Sequence, residues 1–303
     1  MGFEVLNPGI LTLIQDKGRF GFASLGVTTS GAIDEYAYCY SNKLLNNDLN
    51  TNVLEITFSG LCLKVTQKTM ISVTGADLTF SINDIVHEPW QSFIVHSGDI
   101  LKFSKQKHGQ RAYLAVKDGF VLPKEFGSCS TTLKESLGGV NGKALKKGDF
   151  LPFNTTNLTH TKRLKKHLQP NYTKSLTLRV LLGYQEESFS PTQKEKFFSS
   201  EFSVSRESNR MGVKLEGEAI IPKLDGIVSE GISFGAIQIP KNGQPIILLK
   251  DRQTIGGYAK IGSVLSIDCF KLSQAKAGVK INFVPISLEE ATTKVKAFYN
   301  QFS

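Results

Sequence analysis

The 303-residue chain holds few cysteines and one tryptophan, and no apolar run approaches the ~18 residues that a membrane helix needs. Its four cysteines, Cys39, Cys62, Cys129 and Cys269, are scattered without a Cys-x-x-Cys pair. A zinc site or disulfide framework is therefore not expected, and a reducing cytoplasmic setting is. The opening Met1–Leu6 lacks the basic and apolar regions of a secretory leader, and Leu6 stands where a myristoylation signal needs a hydroxyl. Familiar catalytic signatures are missing too. Gly138–Ala144 imitates a phosphate-binding loop but is one residue short between its glycines and ends in Ala144 rather than Ser or Thr. His87-Glu88 lacks the second histidine of a zinc protease, there is no Gly-x-Ser-x-Gly elbow, and no metal site is expected.

The net charge of +9 raises nucleic acid as a partner. The visible cluster, Lys162–His167, carries no interleaved aromatics on which bases could stack. A solvated basic linker is the expectation, with no nucleic-acid or membrane role.

Short apolar runs separated by Gly, Asn, Asp and Pro dominate what is present. They include Val53–Phe58, Met70–Val73, Phe93–Val95, Ile100–Phe103, Ala112–Val116, Leu176–Leu182, Ile246–Leu249, Val264–Ile267 and Val279–Val284. Such lengths and turn spacings predict a mostly β protein. Few short helices are expected: 34–45 with Asp34 as N-cap, 192–198, and 288–298 with Ser287 and Glu290 as a capping box. The chain divides by composition into a β-rich half at 1–155, a basic linker at 156–174 and a second β-rich half at 175–303. Two echoes, 53–60 with 228–235 and 98–103 with 278–283, fit either a duplication or chance among short strands.

Polar side chains crowd one region. Gly235–Pro240 and Asp251–Tyr258 bring an acid, a guanidinium, amides, a hydroxyl and a phenol beside a Gly-Gly turn, after the apolar Pro245–Leu249. That density on permissive backbone predicts a cleft, with a decorated hairpin as the alternative. Further candidates are Arg19, as a bidentate clamp for an anion, and Ser208–Gly212, where Arg210 adjoins a hydroxyl and an amide. Gly127–Thr132 offers hydroxyls and backbone N–H groups suited to an oxyanion nest or to a Ser/Thr turn.

Together these segments resemble the biotin-dependent carboxyltransferase family, which includes the C subunit of 5-oxoprolinase, allophanate hydrolase subunit 2 and an antagonist of a sporulation histidine-kinase inhibitor. The matching motifs run in order from Thr12 to Tyr258. They are Thr-x-x-Gln-Asp-x-Gly-Arg, Gly-Val-x-x-Ser-Gly-Ala-x-Asp, Leu-Glu-x-Thr, Gly-Ser-x-Ser-Thr, Arg-Met-Gly, Gly-Ala-Ile-Gln-x-Pro and Asp-x-Gln-Thr-x-Gly-Gly-Tyr. Three positions depart from the family pattern: Cys129 and Lys143 replace arginines, and Asn209 replaces an aspartate.

The resemblance implies a cyclophilin-like β-barrel architecture and a cytoplasmic subunit that works only in a complex. The first expectation is an ATP-dependent 5-oxoprolinase, with ATP used by the complex. There an A subunit and a B subunit of the kinase-inhibitor type join this chain to convert 5-oxoproline to glutamate. The alternatives are an allophanate hydrolase or urea carboxylase-related component, and a non-catalytic antagonist of a kinase inhibitor. No biotinyl Met-Lys-Met site, ATP-grasp-sized region or amidase signature is found in the chain. For a small amide or lactam substrate, Arg19, Arg210 and Arg252 are expected to hold an anionic group. Gln238 and Gln253 would orient the amide, Thr254 would be a further substrate-binding residue, Asp251 or Glu230 would accept a proton, and Tyr258 would donate to developing oxyanion charge.

Overall fold

Alternating and fully apolar strands dominate the regular elements of the structure, a computed structural model that describes residues 1–154, 160–224 and 226–302. The chain forms two compact units, Met1–Phe20 with Thr29–Tyr172, and Gly21–Thr28 with Thr173–Ser303.

In the first unit the elements are β1 (Gly2–Pro8), β2 (Leu11–Gln15), α1 (Glu35–Leu44), β3 (Val53–Thr57), β4 (Leu61–Val65) and β5 (Thr69–Asp77). There follow β6 (Phe80–Ile82), β7 (Ile85–Val86), β8 (Gln91–Val95), β9 (Ile100–Phe103), β10 (His108–Val116) and β11 (Phe150–Pro152). One sheet has the order β11-β1-β4-β9-β6-β7 and the other β2-β3-β10-β5-β8. In β4 the buried Leu61, Leu63 and Val65 alternate with Cys62 and Lys64, the period-two pattern of a strand with one face in the core. β3 and β5 are buried along nearly their whole length, as strands covered on both faces must be. Leu54, Ile56, Leu63, Phe80, Leu101 and Leu114 share one apolar core. Each such side chain contributes about 1.5–3 kcal/mol on burial.

α1 starts where its cap was expected: Asp34 accepts from the Ala37 N–H at 3.1 Å. Its other carboxylate oxygen accepts from the Tyr172 hydroxyl at 2.8 Å. The helix is fastened to β5 by Ser72 and Thr74, whose hydroxyls donate to the Ser41 and Ala37 carbonyls at 2.6 and 2.7 Å. Gly75 has φ +82°, and a Cβ there would lie 2.5 Å from the Arg111 carbonyl oxygen. That close approach sits in the register shift between His108 and Ala112, where β10 bulges against β5.

The segment expected as a basic linker contributes to this unit. Residues 155–159 lie outside the described residues, but 160–172 group with the first unit. The Ser92 N–H donates to the Lys162 carbonyl at 2.8 Å, and the Leu164 N–H to that of Trp90 at 2.9 Å. The run therefore covers the outer strand of the second sheet, which would otherwise present unpaired backbone groups. Its basic side chains remain solvated while Leu164 turns inward.

The second unit contains β12 (Leu176–Leu182), α2 (Pro191–Ser199), β13 (Phe202–Val204), β14 (Gly212–Glu216), β15 (Glu230–Gly231) and β16 (Ala236–Gln238). β17 (Ile246–Leu248), β18 (Ile255–Gly256), β19 (Lys260–Val264), α3 (Ser266–Leu272), β20 (Lys280–Pro285) and α4 (Leu288–Asn300) complete it. Seven strands close a barrel in the order β12-β19-β16-β17-β14-β13-β20, with β12 and β20 parallel. β15 and β18 form a separate two-stranded ribbon. The Phe197 ring on α2 stacks on Phe283 of β20, centroids 4.3 Å apart. α4 is capped by Ser287, which accepts from the Glu290 N–H at 3.2 Å.

The run expected as a strand at 264–267 is instead the end of β19 and the start of α3. Leu265, Cys269 and Leu272 are buried at helical spacing, and Asp268 anchors the first turn to Arg179 at 2.8 Å. A short apolar run does not distinguish strand from helix by itself. Of the two echoes, 100–103 and 280–283 are both strands after a turn, whereas 53–57 is a full strand and 228–235 holds only a two-residue ribbon strand.

Candidate functional site

The barrel places much of the expected polar chemistry around one cavity of about 260 Å³. β14 contributes Gly212 and Lys214, β17 Ile246 and Leu248, and β16 Gln238. Irregular chain on either side supplies Glu207, Asn209, Met211, Ile232, Arg252, Gln253 and Tyr258. The lining is thus an aliphatic floor with three carboxamides, a phenol and a guanidinium above it.

Arg252 is the principal electrostatic feature. Its Nε donates to the Ile232 carbonyl at 3.0 Å and Nη1 to the Leu249 carbonyl at 3.2 Å. It forms no ion pair with any described residue. Burial lowers its pKa from the usual arginine value, with Cys269 and then Asp251 acting electrostatically in the other direction. A desolvated guanidinium held only by carbonyls leaves positive potential for an anion. The second cation of the lining, Lys214, is paired with Glu207, whose carboxyl is held below its ordinary value by that contact. Asn209 uses its side-chain oxygen to accept the Met211 N–H at 2.8 Å. Tyr258 is 45 % exposed and free to meet a ligand at the rim.

Gln238, Arg252, Gln253 and Tyr258 are therefore brought together, and the other expected residues are not. Thr254 lies outside the lining. Arg210 is buried and clasps Asp251 bidentately, Nε to Oδ2 at 2.7 Å and Nη2 to Oδ1 at 2.9 Å. Expected to act separately as anion holder and proton acceptor, the two instead satisfy each other. Glu230 stands beside a second cavity of about 270 Å³, lined by Gly183, Tyr184, Gln185, Gly231, Ser233, Lys260, Gly262 and Ser263. Its carboxylate accepts from Lys260, Tyr184 and Gln185, and the Lys260 contact leads in holding its pKa below the ordinary value. That direction is opposite to the rise towards neutrality required of a proton acceptor.

Arg19 belongs to the first unit. It donates through Nε to the Glu125 carbonyl at 3.2 Å and through Nη2 to that of Ser130. The hydroxyl-rich Gly127–Thr132 segment is not an open oxyanion nest. Asp16 occupies it, accepting from the Ser128 and Ser130 hydroxyls, both at 2.6 Å, and from the Cys129 N–H at 2.7 Å. The segment's donors already hold an anion, one belonging to the chain. Gly138 packs so closely on Ser130 and Arg19 that no Cβ fits there, which accounts for the glycines of the phosphate-loop look-alike. Cys129 is buried in this turn, and Lys143 is exposed.

Sequence reasoning passed over Glu207, Lys214 and the apolar floor. The signal was present in β14, where Gly212 and Lys214 are two residues apart and so share a face.

The family described as carboxyltransferase domain, subdomain A and B, matches residues 25–285. The chain belongs to this family. Within it, the C subunit of 5-oxoprolinase from Escherichia coli K12 is 36 % identical over 292 residues, covering 95 % of this chain and 92 % of that protein. Its counterpart from Haemophilus influenzae is 35 % identical over 289 residues with the same coverages. The crystal structure of Kluyveromyces lactis urea carboxylase superposes with a TM-score of 0.93 at 30 % identity, covering all of this carboxyltransferase-family chain. The chain spans only 29 % of that enzyme. Among the described residues no helix is long and apolar enough to cross a membrane, and no His, Cys, Asp and Glu cluster could hold a metal.

Proposed function

We propose that the chain is the C-type subunit of a cytoplasmic, ATP-dependent 5-oxoprolinase, acting with subunits of the A and B types to open the lactam to glutamate. The observation that carries this reading is the match along 92 % of two 5-oxoprolinase C subunits, against 29 % of urea carboxylase. The barrel cavity suits a small anionic lactam. Arg252 supplies the counter-charge for a ring carboxylate, and Gln253 and Tyr258 supply polar contacts at the rim. ATP would provide the driving force for lactam opening within the complex, and no step at a nucleotide is assigned to this chain.

The test is co-expression with the neighbouring A and B subunits, purification of the assembly, and measurement of glutamate released from 5-oxoproline with and without ATP. Arg252→Met is expected to raise KM for 5-oxoproline at least about tenfold, the scale of one lost charge-assisted contact. An intact complex that releases no glutamate rejects the reading. The close superposition on urea carboxylase supports a second one, a component handling urea or allophanate. Turnover of either compound by the same complex, with none of 5-oxoproline, would favour it.

A further inference from the structure

One buried polar atom of the barrel cavity's lining is left without a partner among the described residues. Gln238 is 6 % exposed, and its Nε2 is buried with no hydrogen-bond partner among the described residues. Elsewhere in the lining Arg252 donates to two carbonyls and Asn209 accepts the Met211 N–H. The backbone of Gln238 is fixed in the barrel, paired with Ile246 on one side and Lys260 on the other, so the carboxamide is presented from a rigid strand. A buried donor without an acceptor is a standing cost, and an occupant of the cavity that accepts from it removes that cost.

The ribbon strand β18 leaves room for that atom. A Cβ on Gly256 would lie 2.7 Å from Gln238 Nε2 and 2.5 Å from Ile232 Cδ1. Any side chain at 256 would therefore cover or displace the amide. Gly256 is not in the left-handed region, so close approach to Gln238 and Ile232, not backbone conformation, accounts for the glycine.

We infer that Gln238 is the specificity-determining donor of this cavity: its carboxamide nitrogen takes the acyl oxygen of a small amide ligand, and Gly256, carrying no side chain, leaves the space beside that nitrogen unfilled. The inference rests on the reading of the cavity as the substrate site and adds which ligand atom is read. Arg252 answers the ligand's charge, whereas Gln238 answers its oxygen. A ligand of the same ring and charge without that oxygen would leave the donor unmet, and sites built to hydrogen-bond a group discriminate strongly against its absence.

The test measures binding to the full chain by ligand-observed NMR, with 5-oxoproline and cyclopentanecarboxylate as probes. The second has a five-membered ring and carboxylate but no ring oxygen. Acetamide and urea serve as uncharged oxygen-bearing probes. The wild type is expected to prefer 5-oxoproline by about tenfold or more. Gln238→Met and Gly256→Ala are expected to abolish that preference by weakening 5-oxoproline binding, with cyclopentanecarboxylate changed less than about twofold. Gly256→Ala needs only the flexible ends of Gln238 and Ile232 to move, so it tests the inference even if Gln238→Met fails to fold. Retention of the preference in either folded variant overturns the inference, as does a wild-type chain that prefers no oxygen-bearing probe. If acetamide or urea binding depends on Gln238 while the assembled complex never opens 5-oxoproline, the inference stands and the 5-oxoprolinase reading falls.

Discussion

Replacing Arg210 separates two accounts of the barrel that the sequence leaves tied. If Arg210 holds a substrate carboxylate, its loss raises KM and spares stability. In the structure its guanidinium instead lies against Asp251 at 2.7 and 2.9 Å, with side-chain exposures of 7 % and 15 %. Removing one member of a pair that buried leaves the other charged and unmet, at a cost of about 3–5 kcal/mol. Arg210→Met should therefore lower the urea midpoint of the barrel's unfolding by about 2 M, for a slope near 2 kcal/mol per M. Far-UV circular dichroism follows the transition, and hydrogen exchange on peptides from β14, β16 and β17 localises it. The single tryptophan, Trp90, lies in the first unit and is the wrong probe for this transition. Pairing the substitution with Asp251→Leu should recover more than half of the loss, because no orphaned charge then remains. A single variant that loses less than about 1 kcal/mol while KM rises would refute the structural assignment and return Arg210 to the substrate.

Three further outcomes follow from the same geometry. Glu230, depressed by Lys260, should titrate below the ordinary glutamate value when followed by carboxyl ¹³C NMR. The stability it contributes is present above the unfolded pKa, near 4.3, and is lost as pH falls through the folded value, so Glu230→Gln should leave any rate limb near neutrality unmoved. Ser130→Ala removes the hydroxyl that donates to Asp16 Oδ1 at 2.6 Å and accepts the Asp16 N–H at 2.9 Å, and should cost about 2–3 kcal/mol in denaturant unfolding. The buried thiols of Cys39, Cys129 and Cys269 should react with a thiol reagent at pH 8 only after unfolding, because burial raises the Cys129 and Cys269 pKa values and all three are inaccessible. Rapid labelling of any of the three in the native protein would contradict the packing.

What could be read from the sequence was local. Asp34 and Ser287 declared their helices because a cap and its N–H partner lie three residues apart. The polar density of 235–258 declared the cavity because the barrel brings Gln238, Arg252, Gln253 and Tyr258 to one wall without distant help. What could not be read was pairing at a distance. Arg210 and Asp251 are 41 residues apart, and Asp16 and Ser130 are 114. Arg210, Asp251 and the hydroxyl run holding Ser130 look like ligand-binding residues until the fold joins them to internal partners, since the chemistry that holds a substrate carboxylate also holds an internal one. The basic run at 162–167 misled in the same way. Its side chains are solvated as a linker's would be, but its backbone pairs with a sheet edge, and backbone pairing leaves no trace in charge.

The internal pairs also limit what the cavity can do. Among the described residues the only carboxylate in its lining is Glu207, tied to Lys214 and held below its ordinary pKa, and Asp251 is committed to Arg210. On the proposed reading, an amide held here would meet the donors Arg252 for its charge, Gln238 for its oxygen, and Tyr258 and Gln253 at the rim. Donors stabilise charge developing on an acyl oxygen, but they cannot take a proton from an attacking water. Opening an amide requires both. On the proposed reading the barrel cavity holds and polarises the amide while a base from a partner subunit takes the proton, which would account for turnover only in the assembled complex.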